Sequence, residues 1–170
     1  MPDQPKQKQP LILTGVQVAG FKSLAHRQDT LVEFRPLTVL AGANSSGKSS
    51  LMQALLLLKQ TLEAGFDPGT LLLDGLNVRF SSADQMFSNL GRKKVSDSFE
   101  VELHFGTTGY ARWEFCRHAS RIIDIKQAEY GTAAKRIQLT PQMTSEEIRQ
   151  QTPDGLGFYP FITDSNVLSR

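Results

Sequence analysis

The sequence of 170 residues has a single cysteine, Cys116. One cysteine excludes an internal disulfide and a zinc site built from several cysteines, and it suits a reducing compartment. The chain also lacks an apolar run long enough to span a bilayer. Residues 1–10 are polar and rich in proline and glutamine, without the apolar core of a signal peptide. We therefore expect a cytoplasmic protein without a membrane partner, with a flexible tail at residues 1–10.

An excess of one charge is also missing, since 19 basic and 17 acidic residues leave a net charge of +2. Such a balance gives no argument from composition for a nucleic-acid partner. His26, His104 and His118 are scattered, and no spacing typical of a metal site occurs. Apolar residues at 39% and charged residues at 21% are ordinary for a globular domain, so the chain can bury a core.

What the chain does contain is the pattern Gly-x-x-x-x-Gly-Lys-Ser/Thr, which residues 42–49 match at every position. The apolar run at residues 37–41 predicts a strand buried on both faces just before the loop. Residues 49–64 predict a helix that is apolar almost all round and therefore buried. A glycine- and serine-rich loop that only turns the chain is the alternative, which the flanking strand and helix disfavour.

The loop predicts a site for a triphosphate, because backbone N–H groups and a helix N-terminus together attract crowded negative charge. Gly42 and Gly47 allow backbone angles and a close approach that a Cβ would block. Lys48 is expected to reach the β- and γ-phosphates, and the Ser49 hydroxyl is the expected Mg²⁺ ligand. The predicted binding residues for ATP and Mg²⁺ are Gly42, Ala43, Asn44, Ser45, Ser46, Gly47, Lys48, Ser49 and Ser50.

The remaining pattern predicts mainly antiparallel β-structure after the helix. Strands are predicted at residues 11–21, 30–34, 98–105, 110–117, 121–125 and 134–139, with a shorter one at 71–73. Short helices are predicted at 81–87 and from the capping box at Thr144 and Glu147 to about residue 151. The predicted organisation is a tail at 1–10, a strand–loop–helix core at 11–65, a β-rich subdomain at 66–140 and an irregular end at 141–170.

This order resembles the head of an ABC-type ATPase of the RecF/SMC/OLD-like group, often described simply as AAA-family ATPases. The segment Phe21-Lys22-Ser23-Leu24 and the loop form Gly-x-Asn-x-x-Gly-Lys-Ser-Ser carry the resemblance. It implies an α/β P-loop NTPase fold with an antiparallel β-subdomain, and it implies that Lys22 and Ser23 lie near the nucleotide. It also implies that two heads sandwich ATP, so a second head in a homodimer is an expected partner. DNA repair, chromosome maintenance and phage defence are common in the group, and the sequence does not choose among them.

The sequence departs from that group where hydrolysis is concerned. An acidic Walker B strand, an adjacent catalytic Glu and a Ser-Gly-Gly signature are not found, and residues 71–75 have Gly75 where the Glu would stand. We therefore expect an incomplete head, the first portion of a longer one, whose other expected partner is a complementing C-terminal portion. The chain is expected to bind ATP without efficient hydrolysis, and no catalytic residue is assigned.

The alternative is a nucleic-acid or protein-binding module whose phosphate loop is a structural relic. In that hypothesis basic and aromatic side chains line one face and contact DNA. The residues concerned are Arg92, Lys93, Lys94, Arg112, Arg117, Arg121, Tyr110 and Trp113.

Overall fold

The computed structural model describes residues 12–25, 31–65, 70–89, 96–107, 109–117, 123–132 and 135–151. Its elements are β1 (Leu13–Ala19), β2 (Val32–Glu33), α1 (Lys48–Leu62), a 3₁₀ turn (Ala83–Gln85), β3 (Ser98–Phe105), β4 (Gly109–Arg117), β5 (Ile123–Thr132), β6 (Arg136–Leu139) and α2 (Ser145–Gln151). The strands form one six-stranded sheet in the order β2-β1-β3-β4-β5-β6, and every neighbouring pair is antiparallel. The fold is therefore mixed α/β, with few helices on an antiparallel sheet.

One face of the sheet carries the apolar core, as the alternation in β3 predicts. Phe99 is 2% exposed, stacks on Phe115 with ring centroids 4.9 Å apart, and meets the Phe21 ring edge-on at 5.2 Å. The opposite face carries charged pairs, such as Arg112 with Glu100 at 2.8 Å. The predicted strand at 98–105, its hairpin connection and its single wet face are thus confirmed.

The connection from β1 to β3 contains the phosphate loop and α1, although the two strands are direct neighbours in the sheet. Leu51, Ala54, Leu57 and Leu58 of α1 are buried in the same apolar core as the sheet. Met52 and Leu62, however, are 43% and 49% exposed, so the expectation of burial all round the helix is wrong. Neither helix in the described part of the chain is long and apolar enough to cross a bilayer.

The predicted strand at residues 37–41 is absent from the sheet, and its predicted burial is wrong. Leu37 is 83% exposed and Val39 is 77% exposed. An apolar run of this kind is buried only when strands or helices cover both of its faces. Within the described ranges, the sheet ends at β2 and no strand pairs with residues 37–41.

Other predicted elements differ mainly in their extent. The strand predicted at 121–125 is the ten-residue β5, held by pairing with β4 over nearly its whole length. Residues 71–80 form a small hairpin with a bridge between Asp74 and Arg79, and the helix predicted at 81–87 is only the 3₁₀ turn. The capping box is confirmed, since Thr144 N donates to Glu147 Oε2 at 2.7 Å. The predicted tail at 1–10 lies outside the described residues.

Candidate functional site

The start of α1 requires a glycine in the phosphate loop. Gly47 has φ 95° and ψ −3°, a left-handed backbone conformation that residues other than glycine rarely adopt. A Cβ at this position would lie 2.6 Å from Leu24 Cδ2. Ser45 is also left-handed at φ 65°, and Ser46 N donates to Ala43 O at 3.3 Å. The loop is therefore a tight turn that ends at the first residue of the helix.

The ammonium group of Lys48 lies inside the curve of this loop. Its Nζ atom donates to Gly42 O and to Ala43 O, both at 2.7 Å, and to Ser46 Oγ at 3.3 Å. A positive charge is thus held at the centre of the loop, where the motif places it. The neighbouring Ser49 is exposed on the first turn of α1, so its hydroxyl is accessible to a ligand.

The N-terminal end of α1 is also contacted by the turn at residues 21–24. Ser23 Oγ and Ser50 Oγ are 2.8 Å apart, and Leu24 contacts the position of Gly47. Lys22 Nζ instead lies over the Phe80 ring, 5.3 Å from its centroid. The structure therefore brings Ser23 to the first turn of α1, whereas the Lys22 side chain extends toward the aromatic core.

The residues of the loop fit a phosphate group and a divalent cation. The first turn of α1 carries no acidic residue that would repel an anion. The first N–H groups of a helix have no partner within the helix, so they are free to bind phosphate oxygens. No group of three or more His, Cys, Asp or Glu side chains suitable for a metal occurs in the described ranges. A Mg²⁺ ion would thus be held by Ser49, phosphate oxygens and water.

A buried glutamine on α1 holds the 71–80 hairpin against the helix. Gln60 on α1 is 4% exposed, and its Oε1 accepts hydrogen bonds from Val78 N at 2.9 Å and Asn77 N at 3.1 Å. Its Nε2 donates to Val78 O at 3.1 Å and to Leu72 O. Gln60 therefore clamps the 71–80 hairpin to the helix. The sequence signal for this role is the position of Gln60 three residues after Leu57, on the same face of the helix.

The hairpin and the first turns of α1 border a cavity of about 550 Å³ that is open to solvent. Its lining residues are Leu40, Lys48, Ser49, Met52, Gln53, Leu56, Asn77, Val78 and Arg79. A cavity of this size, with a few convergent polar groups on an apolar wall, is typical of a small-ligand site. The structure thus adds residues 77–79 to the neighbourhood of the predicted phosphate site.

The basic and aromatic residues of the alternative hypothesis do not share one face. Trp113 is 3% exposed on the core side and donates to Tyr130 Oη at 3.0 Å, whereas Arg112 on the opposite face pairs with Glu100. Arg117 pairs with Asp84 at 2.6 Å. Arg92, Lys93, Lys94 and Arg121 lie outside the described residues. The described members therefore form no common basic surface.

A larger concavity, of about 770 Å³, lies over the wet face of the sheet. Its charged lining is balanced, with Arg35, Arg112 and Arg136 facing Glu33, Glu102 and Glu129, and His104 beside them. Tyr110 donates to Glu129, and burial together with this carboxylate raises the pKa of Tyr110 to about 12. A balanced lining of this kind has no net attraction for a polyanion.

A comparison with known protein families assigns the chain to the P-loop class of nucleotide-binding proteins. The family model AAA_21, "AAA domain, putative AbiEii toxin, Type IV TA system", matches residues 37–157. This range covers more than half of the chain, and the chain belongs to this family of AAA-type P-loop ATPases. No curated protein and no solved structure matches the chain.

Proposed function

We propose that this chain binds Mg·ATP through residues 42–50, as the nucleotide-binding portion of an ABC-type ATPase of the RecF/SMC/OLD-like group. The observation that carries the proposal is the position of the Lys48 ammonium inside the loop, 2.7 Å from the carbonyl oxygens of Gly42 and Ala43. Few ligands other than a phosphate chain match a charge in that position beside a helix N-terminus.

The residues of the loop have separate roles in this proposal. Lys48 exchanges its contacts with the loop carbonyls for contacts with the β- and γ-phosphates. Backbone N–H groups of the loop and of the first turn of α1 donate to the phosphate oxygens, and Gly47 allows the chain to turn closely enough for that. Ser49 holds the magnesium ion, which neutralises charge between the two terminal phosphates. The side-chain hydroxyl of Ser50 is instead hydrogen-bonded to that of Ser23, which keeps the N-terminal end of α1 in place.

The ABC-type proposal is supported by the order of the strands along the chain. Strands β1 and β2 precede the loop, β3 to β6 follow α1, and all six join one antiparallel sheet. An antiparallel subdomain following the first helix is what the resemblance to the RecF/SMC/OLD-like group implies. We propose a role in DNA repair, chromosome maintenance or phage defence for the complete ATPase.

Efficient hydrolysis is proposed to need a second polypeptide segment. None of the described residues lining the 550 Å³ cavity is a carboxylate that could orient an attacking water. Leu37, Val39 and Met52 are 83%, 77% and 43% exposed near the loop, an apolar surface that a partner would bury. We propose that a second head or a complementing C-terminal portion covers this apolar surface and supplies the catalytic carboxylate. Sedimentation with and without Mg·ATP tests for the homodimer, and an unchanged monomer would exclude it.

Calorimetric titration with Mg·ATP tests the binding proposal. Lys48→Ala should weaken binding about 10- to 100-fold, the loss expected for a charge-assisted hydrogen bond to phosphate. Lys59→Ala is the matched control, because Lys59 lies on the same helix and pairs with the exposed Glu63. Equal affinities for the wild type and the Lys48→Ala variant would refute the phosphate site.

A further inference from the structure

The cavity beside the phosphate loop has polar groups that are not used by the fold. In the described part of the chain, the side chains of Ser49, Gln53 and Asn77 have no hydrogen-bond partner. Ser49 and Gln53 are four residues apart and so lie on the same face of α1. Asn77 and Arg79 lie on the opposite wall. Polar groups that converge on one space without partners are typical of a ligand site.

Arg79 is the second cation of this cavity, after Lys48. Its Nε atom is 3.4 Å from Asp74 Oδ1 and 3.5 Å from Gly75 O, and the two paired side chains are 78% and 81% exposed. An exposed ion pair of this kind contributes little free energy. A phosphate can displace it, because the guanidinium fork binds phosphate through two parallel hydrogen bonds.

The backbone that carries Arg79 is nevertheless held firmly. Gln60 bonds to both the N–H and the carbonyl of Val78, the residue next to Arg79. Phe80 N donates to Leu73 O at 2.8 Å on the other side of Arg79. A Cβ at Gly75 would lie 2.6 Å from the Gln60 side chain, so the hairpin is closely fitted to the helix. The backbone of Arg79 is therefore fixed by its neighbours, whereas its side chain is 78% exposed.

The position along α1 indicates which part of a nucleotide Arg79 would meet. The cavity extends along eight residues of the helix, from Ser49 to Leu56, or about 10 Å. In a phosphate loop the residue equivalent to Ser49 holds the metal between the β- and γ-phosphates. The Ser49 end of the cavity is therefore the end nearest to the terminal phosphates in this proposal, and Arg79 lines the same cavity.

We propose that Arg79 contacts the γ-phosphate and makes this site prefer a nucleoside triphosphate over a diphosphate. This inference rests on the proposed nucleotide-binding function. Arg79 is a specificity residue here, placed by Gln60 and independent of the loop that binds the other phosphates. Removing its charge should weaken binding of Mg·ATP about tenfold and leave binding of Mg·ADP unchanged.

The test is a calorimetric titration of ATP and ADP into the wild type and the variants Arg79→Ala, Arg79→Gln and Arg35→Ala. Arg35 is the matched control, since it is also an exposed arginine, 3.6 Å from the carboxylate of Glu33. The ratio of the ATP and ADP affinities should fall in both Arg79 variants and stay at the wild-type value in Arg35→Ala. The glutamine variant retains most of the side-chain length, so a loss of charge can be separated from a loss of packing.

The outcomes separate this inference from the proposed function. If Lys48→Ala loses affinity while both Arg79 variants keep the wild-type ratio, the specificity role is refuted and the phosphate site stands. If the Arg79 variants lose affinity for ATP and ADP equally, Arg79 does not distinguish the two nucleotides by the γ-phosphate, which also refutes the inference. If the folded wild type binds neither nucleotide, the proposed function itself is refuted.

Discussion

Replacing Gln60 by leucine tests whether a single buried side chain holds the 71–80 hairpin against α1. The Gln60 side chain makes four hydrogen bonds to the backbone of Leu72, Asn77 and Val78. Leucine has a similar volume, so Gln60→Leu removes the polar contacts with little change in packing. The substitution therefore isolates the cost of leaving the hairpin backbone without partners.

The magnitude follows from where those backbone groups lie. Val78 is 8% exposed, so its N–H group would lose its partner in a buried position, at a cost of about 1–3 kcal/mol. Val78 O keeps the hydrogen bond from Gly75 N at 3.1 Å. The groups of Leu72 and Asn77 lie on more exposed residues and can bind water instead. We expect a total loss of about 1–3 kcal/mol, which lowers the melting temperature by about 2–12 °C.

Urea unfolding and thermal melting followed by circular dichroism measure this loss. Gln53→Leu is the control, because Gln53 lies on the same helix and its side chain has no hydrogen-bond partner among the described residues. This control should change the free energy of unfolding by no more than about 0.5 kcal/mol. If the Gln60→Leu variant unfolds at the same urea concentration as the control, Gln60 does not hold the hairpin.

Two further predictions concern titratable groups outside the loop. Hydrogen bonds from the backbone N–H and hydroxyl of Thr144 lower the pKa of Glu147 below its ordinary value of 4.5, so the stabilisation of α2 is present above that pH and is lost as the pH falls through the lowered pKa. A carboxyl titration by NMR should show the lowered pKa of Glu147 in the wild type and a smaller lowering in Thr144→Ala, which keeps the backbone N–H and loses the hydroxyl; an ordinary pKa in the wild type would contradict the prediction. Burial first, and then the negative charge of Asp124, raise the pKa of the Cys116 thiol, so iodoacetamide should alkylate it more slowly than free cysteine at pH 8. Asp124→Asn should speed that reaction, and a wild-type rate equal to that of free cysteine would show that the thiol is not shielded.

Features that depend on a few consecutive residues could be predicted from the sequence. The phosphate loop requires glycine at Gly47 because the chain turns there in a left-handed conformation, and the motif itself records that requirement. The strand β3 shows its two faces by alternation, and the capping box at Thr144 involves groups only three residues apart. In each case the interaction partners are close together in the chain, so the local pattern contains the information.

Features that depend on distant partners were decided only by the tertiary structure. The length of β5 follows from pairing with β4, including Trp113 opposite Ala128, and its own polar sequence gives little sign of a strand. The role of Gln60 follows from the 71–80 hairpin, up to 18 residues away along the chain. The exposure of Leu37 was missed because an apolar run reports a preference for burial, whereas burial itself requires a neighbouring surface. The sequence alone thus determined the phosphate loop and the helix that follows it, and the packing of distant segments decided which side chains surround them.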